Sequence, residues 1–128
     1  MKKRLFLTMM LLSSLLGGST LTISADTAKA IWCEDVKTLY FLYDGNSYYG
    51  VDTYDNHSIT NYWEGTRVTE AYGSGRYYTE SSVINNCKYV VVKDNFSSSG
   101  LTNCWGMFKG FKVLESVVGL NNLNGGDL

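Results

Sequence analysis

Proline is absent from the 128 residues, histidine occurs once, and charged residues make up only 18% of the chain. The near balance of 11 Lys+Arg against 12 Asp+Glu leaves no basic face of the kind nucleic-acid binding requires. No phosphate-cradling glycine loop, metal-ligand cluster or nucleophile elbow is present. The single His57 falls in the turn-like Asp55-Asn56-His57-Ser58, where a solvated loop histidine is expected rather than a general base. The carboxylates Asp52, Asp55, Glu64 and Glu70 have no spacing that singles out a catalytic pair, and Asp52 with Asp55 does not form a calcium loop. These absences predict a protein without catalysis, cofactor or metal. What is abundant is 45% hydrophobic residues, 10 Tyr and 13 Gly, an aromatic, turn-rich mix that suits strands.

No apolar run reaches the roughly 20 residues that cross a bilayer. Lys2, Lys3 and Arg4 instead precede an apolar stretch from Leu5 to Leu16, followed by small and polar residues. This is the pattern of a secretory signal peptide, assigned to residues 1–25. Cleavage fits after Ala25, or after Ala30 in Ala28-Lys29-Ala30, and Ala25 lies closer to the apolar run. No cysteine follows Leu16-Gly17-Gly18 to carry a lipid anchor. Removing the three basic residues with the leader leaves 8 basic against 12 acidic residues, an exported chain of net charge −4.

The following segment, 26–76, reads as a small antiparallel β lead segment. Thr38-Leu-Tyr-Phe-Leu-Tyr43 is apolar on both faces and predicts a central strand. Asp44-Gly45-Asn46 predicts a tight hairpin into a strand from Ser47 to Tyr54, and Asp55-Asn56-His57 a second turn. Ser58 to Trp63 and Arg67 to Thr69 are further strand candidates, separated by a turn at Glu64-Gly65. Tyr72-Gly-Ser-Gly-Arg76 marks a boundary.

Beyond it, Glu80 to Asn86 and Thr102 to Phe108 predict helical turns. Tyr89-Val-Val-Val92 and Ser116 to Val118 predict strands, with a loop at Ser97 to Gly100. Cys87-x-x-Val90-Val91 and Leu114-x-x-Val117-Val118 repeat one pattern 27 positions apart. A period of that length, with one strand and one helical piece, is that of a leucine-rich repeat. If the two strands ran antiparallel, this reading would fail.

From Met107-Phe108 through Phe111, Leu114, Val117 and Leu120 to Leu123-Asn124, the chain resembles the repeat of BspA-like leucine-rich-repeat surface proteins. That repeat reads Met-Phe, two residues, Cys, two residues, Leu, two residues, Leu or Ile, then a Leu-Asn-Thr turn. Phe111 stands in place of the Cys and Gly125 in place of the Thr, as in a divergent first repeat. The order Trp32-Cys33, Thr38 to Phe41, Ile59-Thr60, Trp63-x-Gly65, Val68-Thr69, Tyr89 to Val92 and Asp94-x-Phe96 is similar to the lead segment of such proteins. The resemblance implies that residues 77–128 form the first, incomplete coils of a solenoid with a repeat core of Cys87, Val90, Met107, Phe108, Leu114, Val117, Leu120 and Leu123. Such coils bury their apolar faces only by stacking, about three or more together, so the chain is expected to be a fragment of a longer array. It also implies a bacterial cell-surface protein that adheres to proteins of host or neighbouring cells.

Three cysteines allow one disulfide and leave one thiol. Cys87, equivalent to Leu114, is expected to be a buried thiol; Cys104 is its nearest candidate partner, and Cys33 would have to cross the sheet. The aromatic surplus supports a competing expectation, a secreted carbohydrate-binding β domain using Tyr48, Tyr49, Tyr54, Tyr62 and Trp63. The opposing expectation is that one member of each adjacent aromatic pair packs inward.

Overall fold

A computed structural model describes residues 22–69, 76–99, 101 and 107–123. The apolar leader run, Glu70, most of the Tyr72–Arg76 boundary, Thr102 to Gly106 with Cys104 and Trp105, and the stretch from Asn124 lie outside the described residues.

The described chain is mainly β with short helices. It forms strands β1 (Thr22–Cys33), β2 (Thr38–Ser47), β3 (Thr53–Tyr54), β4 (His57–Ser58) and β5 (Asn61–Glu64), then helical turn α1 (Thr66–Thr69). Helix α2 (Ser81–Asn86) leads into β6 (Tyr89–Val92), and β7 (Ser116–Val118) follows. Five strands build one mixed sheet in the order β5-β1-β2-β6-β7, while β3 and β4 form a separate hairpin. β5, β1 and β2 are antiparallel, as expected of the lead segment; β2, β6 and β7 are parallel.

Alternation along the strands creates two cores. Ala28, Ala30, Trp32, Leu39, Phe41, Trp63, Val90 and Val92 face the larger one, which Val68, Tyr77, Val83, Cys87, Phe96, Leu101, Met107 and Leu123 complete. Ile31, Cys33, Tyr40 and Leu42 face the smaller one, covered by Tyr48, Val51, Tyr54 and Ile59 from the 47–60 excursion. The apolar character of both faces of Thr38–Tyr43 follows from this central position in the sheet.

Several expectations are corrected. Asp44-Gly45-Asn46 is not a hairpin: β2 continues to Ser47 because β1 begins early enough to pair with it, through Thr27↔Asp44, Ile23↔Asn46 and Thr22↔Ser47. The turn joining β1 to β2 is Glu34–Val36 with Lys37 in the left-handed region at φ 52°. The strand expected from Ser47 to Tyr54 shrinks to β3, and that from Ser58 to Trp63 divides into β4 and β5. Arg67 to Thr69 is helical, since the Val68 and Thr69 amides both donate to the Gly65 carbonyl. Asp55 and Asn56 turn as expected, at φ 53° and 65°, the positive pair a two-residue hairpin requires. β6 and β7 span the residues expected, as does α2 to within one residue.

The parallel half has a recurring stitch. The Lys37 carbonyl accepts from the amides of Lys88 (3.0 Å) and Tyr89 (3.1 Å). One strand further on, the Lys88 carbonyl accepts from Glu115 (2.7 Å) and Ser116 (3.2 Å). The β6–β7 register, Tyr89↔Ser116 through Val91↔Val118, is an offset of 27 residues. Each strand is followed by a left-handed residue and a 3-10 turn: Asn95 before Phe96–Ser98, and Gly119 before Leu120–Asn122. Asn122 Nδ2 then donates 2.9 Å back to the Val92 carbonyl, tying the later unit to the earlier.

Candidate functional site

The smaller core carries a ladder of tyrosines. From the outside inward, Tyr49 meets Tyr62 (centroids 4.9 Å), Tyr62 meets Tyr48 (5.7 Å), Tyr48 meets Tyr54 (5.8 Å) and Tyr54 meets Tyr40 (4.9 Å), all edge-to-face. Lys93 Nζ sits 5.8 Å from the Tyr40 ring centre at the far end. The spacing follows from the fold: Tyr62 and Tyr40 project from β5 and β2 on the same face, and the 47–60 excursion lays Tyr48 and Tyr54 between them.

Only Tyr49 is open to solvent, at 60% exposure; Tyr48 is buried and Tyr54 and Tyr62 are half-buried. Two of the hydroxyls are engaged beneath this roof. Tyr48 donates to Asp44 Oδ2 at 2.9 Å and Tyr62 to Glu64 Oε2 at 2.6 Å. Burial pushes the Tyr48 hydroxyl up to about 12, and burial aided by the Glu64 charge raises that of Tyr62. Burial likewise raises Tyr40 and Tyr54. All four remain neutral at ordinary pH.

Trp63 does not join this face. It is buried in the larger core, 6.4 Å from the Tyr77 ring centre, because it follows Tyr62 on β5 and so points the other way. The expected five-aromatic binding set is corrected to a four-tyrosine cluster with one exposed ring. Of these adjacent pairs Tyr48–Tyr49 divides as expected, one in and one out, whereas Tyr62 and Trp63 both pack into cores, on opposite faces of the sheet.

Of the expected repeat core, Cys87, Val90, Met107 and Leu123 are buried in the larger core, and Phe108, Leu114 and Val117 pack against it half-buried. Leu120 is corrected: it opens the last 3-10 turn and is 45% exposed. Cys33 and Cys87 are free and buried on opposite faces of the sheet, so they do not pair. The Cys87 thiol donates to the Tyr89 carbonyl at 3.4 Å. Burial pushes both thiols up to about 11, so both are protonated and uncharged at ordinary pH.

His57, in the β3–β4 hairpin, has Nδ1 3.4 Å from Asp35 Oδ2. Among the described residues no group of three or more His, Cys, Asp or Glu could hold a metal ion. No helix among them is long and apolar enough to cross a membrane.

Two polar residues of the tyrosine face were missed in the sequence. Lys29 reads as part of a cleavage motif and Asp44 as a turn residue, yet Lys29 is fully buried with its Nζ 3.1 Å from Asp44 Oδ1. The signal was its phase: Lys29 shares a face with Ile31 and Cys33, both core residues. Set against family models, curated proteins and solved structures, the chain matches none.

Proposed function

We propose that the chain is an exported cell-surface protein whose lead sheet opens a leucine-rich-repeat array of the BspA-like kind. It acts without catalysis, by adhering to proteins of host or neighbouring cells. The observation that carries this reading is the parallel β6–β7 pairing at an offset of 27 residues, with the backbone stitch at Lys37 and Lys88 recurring one strand later. The β2–β6 and β6–β7 pairs run in the same direction and share this backbone contact, which supports stacking of successive units. Tyr89 and Val118, 40% and 59% exposed, offer apolar area on the outer face of this ladder.

Export joins this reading at β1. Regular pairing with β2 resumes at Thr27, after an irregularity that begins at Ile23. Signal cleavage after Ala25 keeps the buried run from Ala28 to Cys33, whereas cleavage after Ala30 would remove three buried residues. Ala25 is therefore the cleavage site of this proposal.

The carbohydrate-binding alternative rests on Tyr49, an exposed ring braced by Tyr62 beside the Glu64 carboxylate. Attachment of labelled cells to surfaces coated with the purified chain separates the two. Adhesion that is abolished by protease treatment of the cells, survives glycosidase and survives Tyr49→Ala supports the protein-binding reading. Adhesion lost with glycosidase and with Tyr49→Ala transfers the function to the tyrosine patch. No attachment across bacterial and host cells overturns the proposal.

A further inference from the structure

Lys29 is the one lysine whose side chain β1 carries wholly into the sheet, and its surroundings are unusually complete. Its Nζ donates to Thr27 Oγ1 (2.7 Å), to the Thr27 carbonyl (3.1 Å) and to the Asp44 carbonyl, and it lies 3.1 Å from Asp44 Oδ1. In the β1–β5 ladder Lys29 stands directly opposite Glu64. The amine is thus flanked by a carboxylate-bearing residue on each neighbouring strand. Each carboxylate accepts a tyrosine hydroxyl, Asp44 from Tyr48 and Glu64 from Tyr62, and those two rings meet at 5.7 Å to close the space above. Asp44 retains 32% exposure, a route by which a small molecule can leave.

We propose that Lys29 and Asp44 condense into an intramolecular amide that covalently ties β1 to β2. The Lys29 Nζ–Asp44 Cγ bond forms and a Cγ–O bond of the carboxyl group breaks. The ammonium gives up two protons, which depart with the released oxygen as one water, so atoms and charge balance with no other reactant. Two physical features favour the step over a lasting ion pair. The groups are fixed on paired strands at contact distance, which replaces an encounter in solution by an effectively very high local concentration. The product also removes the charge of the fully buried Lys29 amine, whose desolvation is unfavourable. Glu64 is a positioning residue: it stands opposite Lys29 in the β1–β5 ladder and accepts the Tyr62 hydroxyl, and the Tyr62 ring packs on the Tyr48 ring whose hydroxyl holds Asp44. The proposal is independent of the adhesive function.

Intact-mass spectrometry of the full purified chain tests it. The expected result is a folded protein one water lighter than its sequence, with tandem spectra joining the Lys29 and Asp44 peptides, and full mass in Lys29→Arg and Asp44→Ala. In a time course after refolding, Glu64→Gln, which loosens the Tyr62–Tyr48 packing over Asp44, slows the loss of water by up to about 100-fold, the scale of slightly misplaced reacting groups, and a merely structural Glu64 would shift the unfolding midpoint without changing that rate. Full sequence mass in the folded wild-type chain after prolonged incubation overturns the proposal, and this measurement needs no variant to fold. A water deficit that persists in Lys29→Arg and is converted by hydroxylamine to a hydroxamate also overturns it, because Asp44-Gly45 can lose water on its own as an aspartyl succinimide.

Discussion

Replacing Gly119 by alanine isolates the contact between the two parallel units. Gly119 has φ 79°, and a Cβ there would fall inside the contact distance of the Val92 carbonyl oxygen and lie 3.0 Å from Asn122 Nδ2. The left-handed conformation alone costs a non-glycine residue about 1–2 kcal/mol. The clash adds to this, because relieving it moves the end of β7 away from Val92 and breaks the 2.9 Å Asn122–Val92 hydrogen bond, worth about 1 kcal/mol. The expected total is about 2–4 kcal/mol, summing backbone strain with the lost bond and its packing. Gly65 is the internal control, with φ 69° and nothing within 4 Å of an added Cβ. Gly65→Ala should therefore cost only the conformational share, about 1–2 kcal/mol. Urea unfolding at constant m-value gives both numbers, and amide exchange should quicken at Ser116–Val118 in Gly119→Ala alone. Equal losses for the two variants, or unchanged exchange at β7, would refute the close packing of the later unit on the earlier one and with it the basis of the repeat reading.

Other outcomes follow from the same geometry. Val90→Ala, at a fully buried position, should lower unfolding stability by about 2 kcal/mol, while Val118→Ala, at 59% exposure, should stay within about 0.5 kcal/mol. Comparable losses would contradict the assignment of inner and outer faces. Alkali should destabilise the chain through its two buried thiols, raised from 9.0 to about 11. The unfolded thiols ionise first, so stability is full below pH 9.0 and falls as pH rises toward about 11. Each thiol contributes at most about 1.4 kcal/mol per pH unit in that window. Denaturant midpoints across it should decline, and the Cys33→Ala/Cys87→Ala double variant should decline less; identical profiles would count against the burial of both sulfurs. N-terminal sequencing of the exported chain should begin at Asp26, and a start at Ile31 would contradict the role given to Ala28–Ala30 in β1.

How far local pattern reaches is visible at β6, where three consecutive valines and the flanking Tyr89 define the strand without outside help. The Asp55–Asn56 turn, helix α2 and the 27-residue spacing were legible for the same reason: each depends on residues within a few positions, or on a simple offset. Asp44-Gly45-Asn46 marks the limit. Turn preference there is worth a fraction of a kcal/mol per residue, and the partner strand outweighs it at Asp44 with the Thr27↔Asp44 pairing and the Lys29–Asp44 ion pair. Ala28-Lys29-Ala30, read as the alternative cleavage motif, therefore lies in the middle antiparallel strand, between β5 and β2.

The functional face divides in the same way. Sequence was sufficient to list the aromatic residues and to require that some pack inward, because a chain this size cannot expose them all. It did not decide that Tyr48, Tyr54 and Tyr62 would share a core while Trp63 turned away. That depends on which face of β5 meets the 47–60 excursion. Nor did it reveal Lys29 between Asp44 and Glu64, since the three come together only through registers on both sides of β1. Composition, turn chemistry and period belong to the linear chain; the order of strands in the sheet and the buried lysine belong to strand pairing, whose hydrogen bonds join residues that no local window contains.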